Sequence, residues 1–237
     1  MNIIVDSHTH TVASGHAYNT IDEMAKAASE KGIKLLAITE HAPNMPGTCH
    51  AFYFHNLKVV GRKRYGVELL LGAELNVIDY DGNVDLDEAS LNCLDIAIAS
   101  LHTPCINAGT MEQNTNALIG AMKNPHVKII GHPDDSKFPL DYERLVKAAK
   151  ENHVLLELNN NSLNPTGFRL NARENDIKML ELCKQYNVPI TLGSDAHVVD
   201  DIANYCYSKD ILAVTNFPEE LIMNTTVERF KDFIKEV

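Results

Sequence analysis

VELLLGAEL, residues 67–75, is apolar on both faces of an extended chain. Only Glu68 and, near the end, Glu74 interrupt it. A stretch this short without polar alternation reads as a strand covered on both sides, which is the environment of a parallel sheet. Six more segments share the pattern: NIIVDSH (2–8), KLLAITEH (34–41), LDIAIASLH (94–102), VKIIGH (127–132), VLLELNN (154–160) and PITLGSD (189–195). Between most of them, apolar residues recur at three and four positions, as in amphipathic helices, over 21–32, 111–124, 141–152 and 175–187. Gly32 and Asn124 mark helix stops, and a last helix is expected over 227–234. Asp81-Gly82, between alternating apolar residues of NVIDYDGNVDL, suggests a small hairpin after the third strand. Strands alternating with helices give an α/β fold, and seven such units in one undivided chain favour a barrel, regular or irregular. An open doubly wound sheet is the alternative.

With 237 residues, 45% of them hydrophobic, the chain can form one domain, 1–237, with a full core. Its formal charge of −11 argues against a surface that tracks long nucleic acid. The best basic cluster, Lys58, Arg62, Lys63 and Arg64, is better read as a solvated helix face. Five cysteines, widely spaced and without a CxxC, indicate neither a disulfide framework nor a thiolate zinc site. The N-terminus goes straight into Ile3, Ile4 and Val5, and no segment approaches a membrane span. A cytoplasmic location is the expectation.

The strand ends carry the chemistry. They hold His8 and His10, Glu40 and His41, Glu74, His102, His132, Glu157 and Asn159, and Asp195 and His197. In parallel βα architectures those ends converge on one face, where active sites form. His8 and His10 stand two apart and share a side of an extended chain. His126 and His153 precede strands, lie at the opposite face and are read as structural. His50 and His55, in HAFYFH, belong to a segment that would overhang the mouth as a lid, without a metal role. One tetrahedral ion takes about four protein ligands. His8, His10, His16, His41, Glu74, His102, His132, Asp195 and His197 are nine candidates, which suggests more than one ion. Asp6, on the face of His8, is a candidate to orient a ligand ring. Arg169 and Arg173, after the sixth strand, are candidates to clamp an anionic substrate. Cys105 is read as a small hydrophobe.

The motifs DSHTHT, ITEH, GAE, SLH, GHP and GSDAH, in this order from residue 6 to 197, resemble the PHP (polymerase and histidinol phosphatase) superfamily, and most closely its small YcdX-like phosphatase branch. VASGHAY and ELNNNS are similar to the same branch. The resemblance implies a distorted seven-stranded (β/α)7 barrel. It also implies three divalent metal ions, zinc first, with manganese or iron as alternatives. By motif, His8, His10, Glu74 and Asp195 would hold one ion. Glu74 would bridge to a second, held by His102 and His132, and His16, His41 and His197 would hold the third. Glu74 and Asp195 would thereby position a metal-bridging hydroxide for phosphate ester hydrolysis. GHPDDSK departs from the pattern, since Asp134-Asp135 could alter substrate access.

The implied activity is a metal-dependent phosphatase on small phosphomonoesters, partnered by a phosphorylated metabolite and compatible with a homo-oligomer. The alternatives are histidinol phosphate hydrolysis, a nuclease or phosphodiesterase on short nucleic acids, and a metal-binding accessory module without catalysis. A hydrolase of the amidohydrolase or TatD type also begins with HxH, but His16, His41 and His197 argue against it. No GxSxG elbow or P-loop supports a covalent or nucleotide-dependent route.

Overall fold

A computed structural model of the chain describes residues 1–235. The apolar runs form seven parallel strands: β1 (Val5–Asp6), β2 (Leu35–His41), β4 (Val67–Asn76), β5 (Ile96–Ser100), β6 (Val127–Ile130), β7 (Leu155–Asn159) and β8 (Ile190–Gly193). They pair in the order β1-β2-β4-β5-β6-β7-β8, so each follows its predecessor around the sheet. A two-residue strand, β3 (Lys63–Arg64), adds antiparallel to β4. The basic cluster is therefore partly strand, and not a helix face. Arg62 and Arg64 are taken up by Asp95 and Asp22, at 2.6 and 2.7 Å.

The sheet closes on itself through the segments that follow β1 and β8. Asp195 N donates to His8 O at 2.9 Å, and His10 N donates to Ala196 O at 2.9 Å. Lower down, the buried Asn224 side chain fills the seam: Nδ2 donates to Val5 O and Leu192 O, and Oδ1 accepts from Leu192 N. This is the nearly closed, distorted (β/α)7 barrel that the motifs imply. β1 is shorter than the 2–8 run because the chain beyond Asp6 leaves the ladder to make these closing contacts.

Helices cover the outside: α1 (Ile21–Glu30), α4 (Met111–Met122), α5 (Tyr142–Glu151) and α6 (Ala172–Tyr186) at the expected places, with α2 (Phe52–Asn56), α3 (Glu88–Leu91) and α7 (Cys206–Val214) added. Their starts have local causes. Thr20 with Glu23 and Thr110 with Gln113 form reciprocal capping boxes, and the Asp141 side chain accepts from Arg144 N. The hairpin expected at Asp81-Gly82 shrinks to one antiparallel bridge, Val77 to Val84, around a turn in which Asp79 Oδ1 accepts from Asp81 N and Asn83 N. α8 (Val227–Lys235) closes the bottom of the barrel: Phe230 and Ile234 pack with Val5, Leu35, Leu70, Ile98, Ile129 and Leu155.

Strand alternation carries that interior upward into a different chemistry. The row holding Leu35 and Ala37 continues to Thr39 and His41, and the row holding Leu70 continues through Gly72 to Glu74. Ile96 and Ile98 lead to Ser100 and then His102, and Leu155 leads to Glu157 and Asn159. The barrel is thus apolar at its floor and filled with donors at its carboxyl end. Among the described residues no helix is long and apolar enough to cross a membrane.

Candidate metal centre

His41 and Glu74 are direct neighbours in the register of β2 and β4, and the remaining donors close around them. Glu74 Oε2 lies 3.4 Å from His8 Nε2, 3.5 Å from His10 Nε2 and 2.8 Å from His41 Nδ1. Its Oε1 lies 3.1 Å from His102 Nε2 and 2.7 Å from His132 Nε2. Asp195 Oδ1 is 3.8 Å from His8 Nε2 and 3.4 Å from His10 Nε2. The rings of His16, His41 and His197 complete the cluster, with His16 centred 4.9 Å from each of the other two. All nine sequence candidates therefore border one site. Three compact triads stand out: His8, His10 and Glu74; His41, Glu74 and His102; and His10, His41 and His197. His10 takes the place in the third that the motif partition gives to His16, which is the more exposed ring.

Partners behind the rings decide where the lone pairs point. His8 Nδ1 lies 2.8 Å from Glu157 Oε1, and the carboxylate can only accept, so Nδ1 carries the hydrogen. Ser14 Oγ has one proton and gives it to Glu40 Oε2 at 2.6 Å. It must therefore accept from His41 N and from His10 Nδ1, both at 3.0 Å. His102 Nδ1 donates to Asn76 Oδ1 at 2.7 Å, whose amide is oriented by Ala42 O and Asp85. The Nε2 atoms of His8, His10 and His102 are thus turned toward the carboxylates. His8 Nε2 and His10 Nε2 stand 3.0 Å apart, a separation that two lone pairs tolerate only with a cation or a proton between them. Glu74 Oε2 and His41 Nδ1, at 2.8 Å, are both buried without an aligned hydrogen bond.

This donor set fits a metal. A tetrahedron whose corners lie about 2.0–2.1 Å from its centre has edges of about 3.3–3.4 Å. The donor separations among His8, His10, Glu74 and Asp195 run from 3.0 to 3.8 Å. The protonation states agree. Burial alone would raise the Glu74 carboxyl, but His102, His41 and His8 hold it well below the usual carboxylate range. Asp195 is likewise held down, against burial, by His8, His10 and His197. Burial and the neighbouring His41 and His197 push His10 well below the usual histidine value, and burial pushes His102 down to about 4 against the pull of Glu74. His8 is the exception: burial lowers it, yet Glu157, Glu74 and Asp195 together raise it well above that value.

Backbone strain marks the same place. His132 and Asp195 have φ of 29° and 54°, a left-handed region that costs a non-glycine residue energy and persists where surroundings over-determine it. Gly193 is needed for room, since a Cβ there would lie 1.9 Å from Glu157 Oε1.

Other candidates are placed differently. The hydrogen bonds of Asp6 do not go to a ligand imidazole: its two oxygens accept from Ser194 N and Ala203 N, each at 3.0 Å, so it steadies the loop that carries Asp195. Ring orientation falls instead to Glu157, to Asn76 and to Glu40 acting through Ser14. Arg169 reaches the site, with Nη1 2.8 Å from Ser162 Oγ and 3.5 Å from Asp195 Oδ2. Arg173 lies outside the cavity lining and pairs with Asp210 at 2.8 Å on the surface. His55 bonds Ser90 Oγ, and His50 accepts from Phe52 N; neither lines the cavity, whose contribution from that segment is Met45. That cavity, about 360 Å³, opens directly from the donor cluster.

The chain is similar to known proteins along most of its length. A family model for the PHP domain matches residues 6–163. A protein of Clostridium novyi named "Probable phosphatase" is 48% identical over 235 residues, covering 99% of this chain and 96% of its own. One of the same name from Caldicellulosiruptor saccharolyticus is also 48% identical, covering 99% and 97%. Among solved structures, histidinol phosphate phosphatase from Lactococcus lactis, complexed with zinc, L-histidinol and phosphate, matches with a TM-score of 0.60 at 14% identity, over 90% of this chain and 94% of its own.

Proposed function

The chain belongs to the PHP-domain family, and from that premise we propose that it is a metal-dependent phosphatase that hydrolyses small phosphomonoesters at a site for three divalent ions. The observation that carries this reading is the set of inward-facing donors bordering an open cavity, with His8 Nε2 and His10 Nε2 3.0 Å apart and Glu74 between five imidazoles. The names of the relatives at 48% identity support the activity.

His8, His10, Glu74 and Asp195 would hold one ion, Glu74 with His102 and His132 a second, and His41, His197 and His16 a third. Mixed imidazole and carboxylate ligands suit zinc, and also manganese or iron. Divalent ions there supply a Lewis acid for phosphate oxygens and a water acidic enough to ionise near neutral pH. The chain's own residues do the rest. Glu74 and Asp195 remain ionised and so retain their donor electrons, while His10 and His102 remain neutral at neutral pH. Glu157, Asn76 and Ser14 fix which ring nitrogen carries the proton. Arg169 is the fixed cation on the cavity wall, tethered by Ser162 and Asp195, and its guanidinium fork suits two oxygens of a terminal phosphate. A monoester offers three such oxygens and an internal diester two, so monoesters are favoured.

The test is a panel on the metal-loaded protein: sugar phosphates, nucleoside monophosphates, histidinol phosphate and short oligonucleotides, with released phosphate and strand cleavage measured separately. Phosphate release from monoesters is the expected result. Preference for oligonucleotides overturns the reading, and strong selectivity for histidinol phosphate replaces it with histidinol phosphatase.

A further inference from the structure

The lining of the cavity beside the donor cluster is of two unlike kinds. The candidate metal ligands and Arg169 supply its charged and imidazole groups. Met45, Leu101, Pro104, Phe138, Leu140 and Phe168 supply most of the rest, with Thr103, Asn161 and Asp135 as the few other polar side chains. Asp135 is already engaged, because its Oδ1 accepts from Lys137 N and Leu170 N and its Oδ2 lies 3.8 Å from Lys137 Nζ. A polyhydroxylated leaving group would lose water there and find few partners, at a cost for each unpaired hydroxyl.

Phe168 is the informative residue. Its side chain is large and apolar, and it is 70% exposed at the rim. Exposure of that kind usually accompanies a loose loop, yet this loop is fastened. Lys137 Nζ donates to Phe168 O at 2.9 Å and lies 5.2 Å from the centre of its ring. Ser136 N donates to Leu170 O at 2.9 Å, and Asn175 Nδ2 donates to Ser136 Oγ at 2.9 Å. Arg169 Cζ also lies 5.4 Å from the centre of the ring, so the polar contacts hold an aromatic residue that lines the cavity and is still mostly exposed.

We infer that the substrate is the phosphomonoester of an apolar alcohol, whose hydrocarbon part lies between Phe168, Met45 and the Phe138–Leu140 floor while its phosphate faces the donor cluster. This rests on the phosphatase reading and narrows it. A volume of about 360 Å³ accommodates a ring or a short chain beside a phosphate. Phe168 and Met45 are then specificity-determining residues.

The experiment compares kcat/KM of the metal-loaded protein for 2-phenylethyl, n-hexyl, ethyl, glycerol 1- and histidinol phosphates, all esters of primary alcohols, so that leaving-group reactivity differs little. 2-Phenylethyl and n-hexyl phosphates should exceed ethyl and glycerol 1-phosphates by about tenfold or more, the scale on which a hydrophobic pocket discriminates. Phe168→Ala and Met45→Ala should each lose more on 2-phenylethyl than on ethyl phosphate, so the ratio falls toward one. Preference for glycerol or histidinol phosphate, or a ratio that neither variant changes, overturns the inference. If no ester is hydrolysed, the phosphatase reading itself fails. Binding of the inert 2-phenylethyl phosphonate against ethyl phosphonate, measured by calorimetry, then still decides the apolar pocket: equal affinities refute it.

Discussion

Glu74→Gln keeps the shape of the side chain and removes its charge at the point where the most donors meet. Glu74 Oε2 is within 3.5 Å of nitrogens from His8, His10 and His41, and Oε1 is within 3.1 Å of His102 and His132. A glutamine presents one acceptor and one donor there, and its NH2 group must point at imidazoles that have no lone pair to spare for a metal at the same time. Loss of a group that merely orients a ligand costs about 10–100-fold in metal affinity or activity. A carboxylate serving two ions should multiply such losses, to about 10²–10⁴-fold. His16→Ala, which removes one exposed ring 4.9 Å from its two neighbours, should cost only about 10–100-fold. The assay pairs steady-state phosphate release with elemental analysis of gently purified protein. Two tetrahedral ions with about four protein ligands each would leave a donor over, so the wild type should carry more than two ions, and Glu74→Gln should lose at least one. A Glu74→Gln protein with full metal content and activity within tenfold of wild type would refute the bridge, and one ion or fewer in active wild type would refute the multinuclear site.

Ser14→Ala should weaken metal binding by about 10–100-fold in a chelator competition, because it frees the His10 tautomer and strips Glu40 of a partner; unchanged affinity would show that the relay is not needed. Asp176 is buried with neither oxygen bonded, and burial with Asp134 and Glu157 nearby raises its carboxyl well above the usual value. A carboxyl raised in the folded state gives a stability that is greatest below the unfolded value near 4 and falls as pH rises toward the folded one, by about 1.4 kcal/mol per unit of difference. Asp176→Asn should therefore raise the melting temperature at pH 8 more than at pH 4, and equal shifts at both would sink the argument. His8 has the same sense of linkage in a higher pH window: in metal-free protein its proton contributes stability that is complete below the unfolded value near 6.5 and disappears as pH rises through the raised folded value. Metal binding must displace that proton, so calorimetry in buffers of different ionisation enthalpy should show proton release, and none would count against His8 as a ligand.

Much of the barrel was legible because parallel strands are apolar on both faces and cannot be confused with surface segments, and because each such run ended in a donor. The short pieces were not. β3 is two charged residues without periodicity, and α2 and α3 are too brief to show a helical repeat. The donors were legible for a related reason: an imidazole or carboxylate at the end of an apolar strand has no core partner to satisfy it, so its position alone is anomalous. Arg173 and Asp6 show the limit of that signal. Position placed both near the site, but the partner that decides their role, Asp210 for one and the backbone of Ser194 and Ala203 for the other, lies elsewhere in the chain.

The residues that orient the rings were visible but mute. Glu157 and Asn76 stand on inward rows, two residues along the strand from Asn159 and Glu74, and Ser14 lies within VASGHAY, where nothing in the sequence names its partners. Their function appears only when hydrogens are counted. Ser14 has a single proton, Glu157 has none to give, and the amide of Asn76 is already oriented, so three Nδ1 atoms must donate and three Nε2 lone pairs must face Glu74 and Asp195. Such a site is unstable as a set of neutral rings and ionised acids alone. It is stabilised by positive charge at its centre, and in the metal-free protein the raised affinity of His8 for a proton supplies part of it, at the nitrogen that faces His10. A proton satisfies one such contact, whereas Glu74 alone meets five rings. The surplus of aligned donors over available protons is the physical argument for the proposed site for several cations.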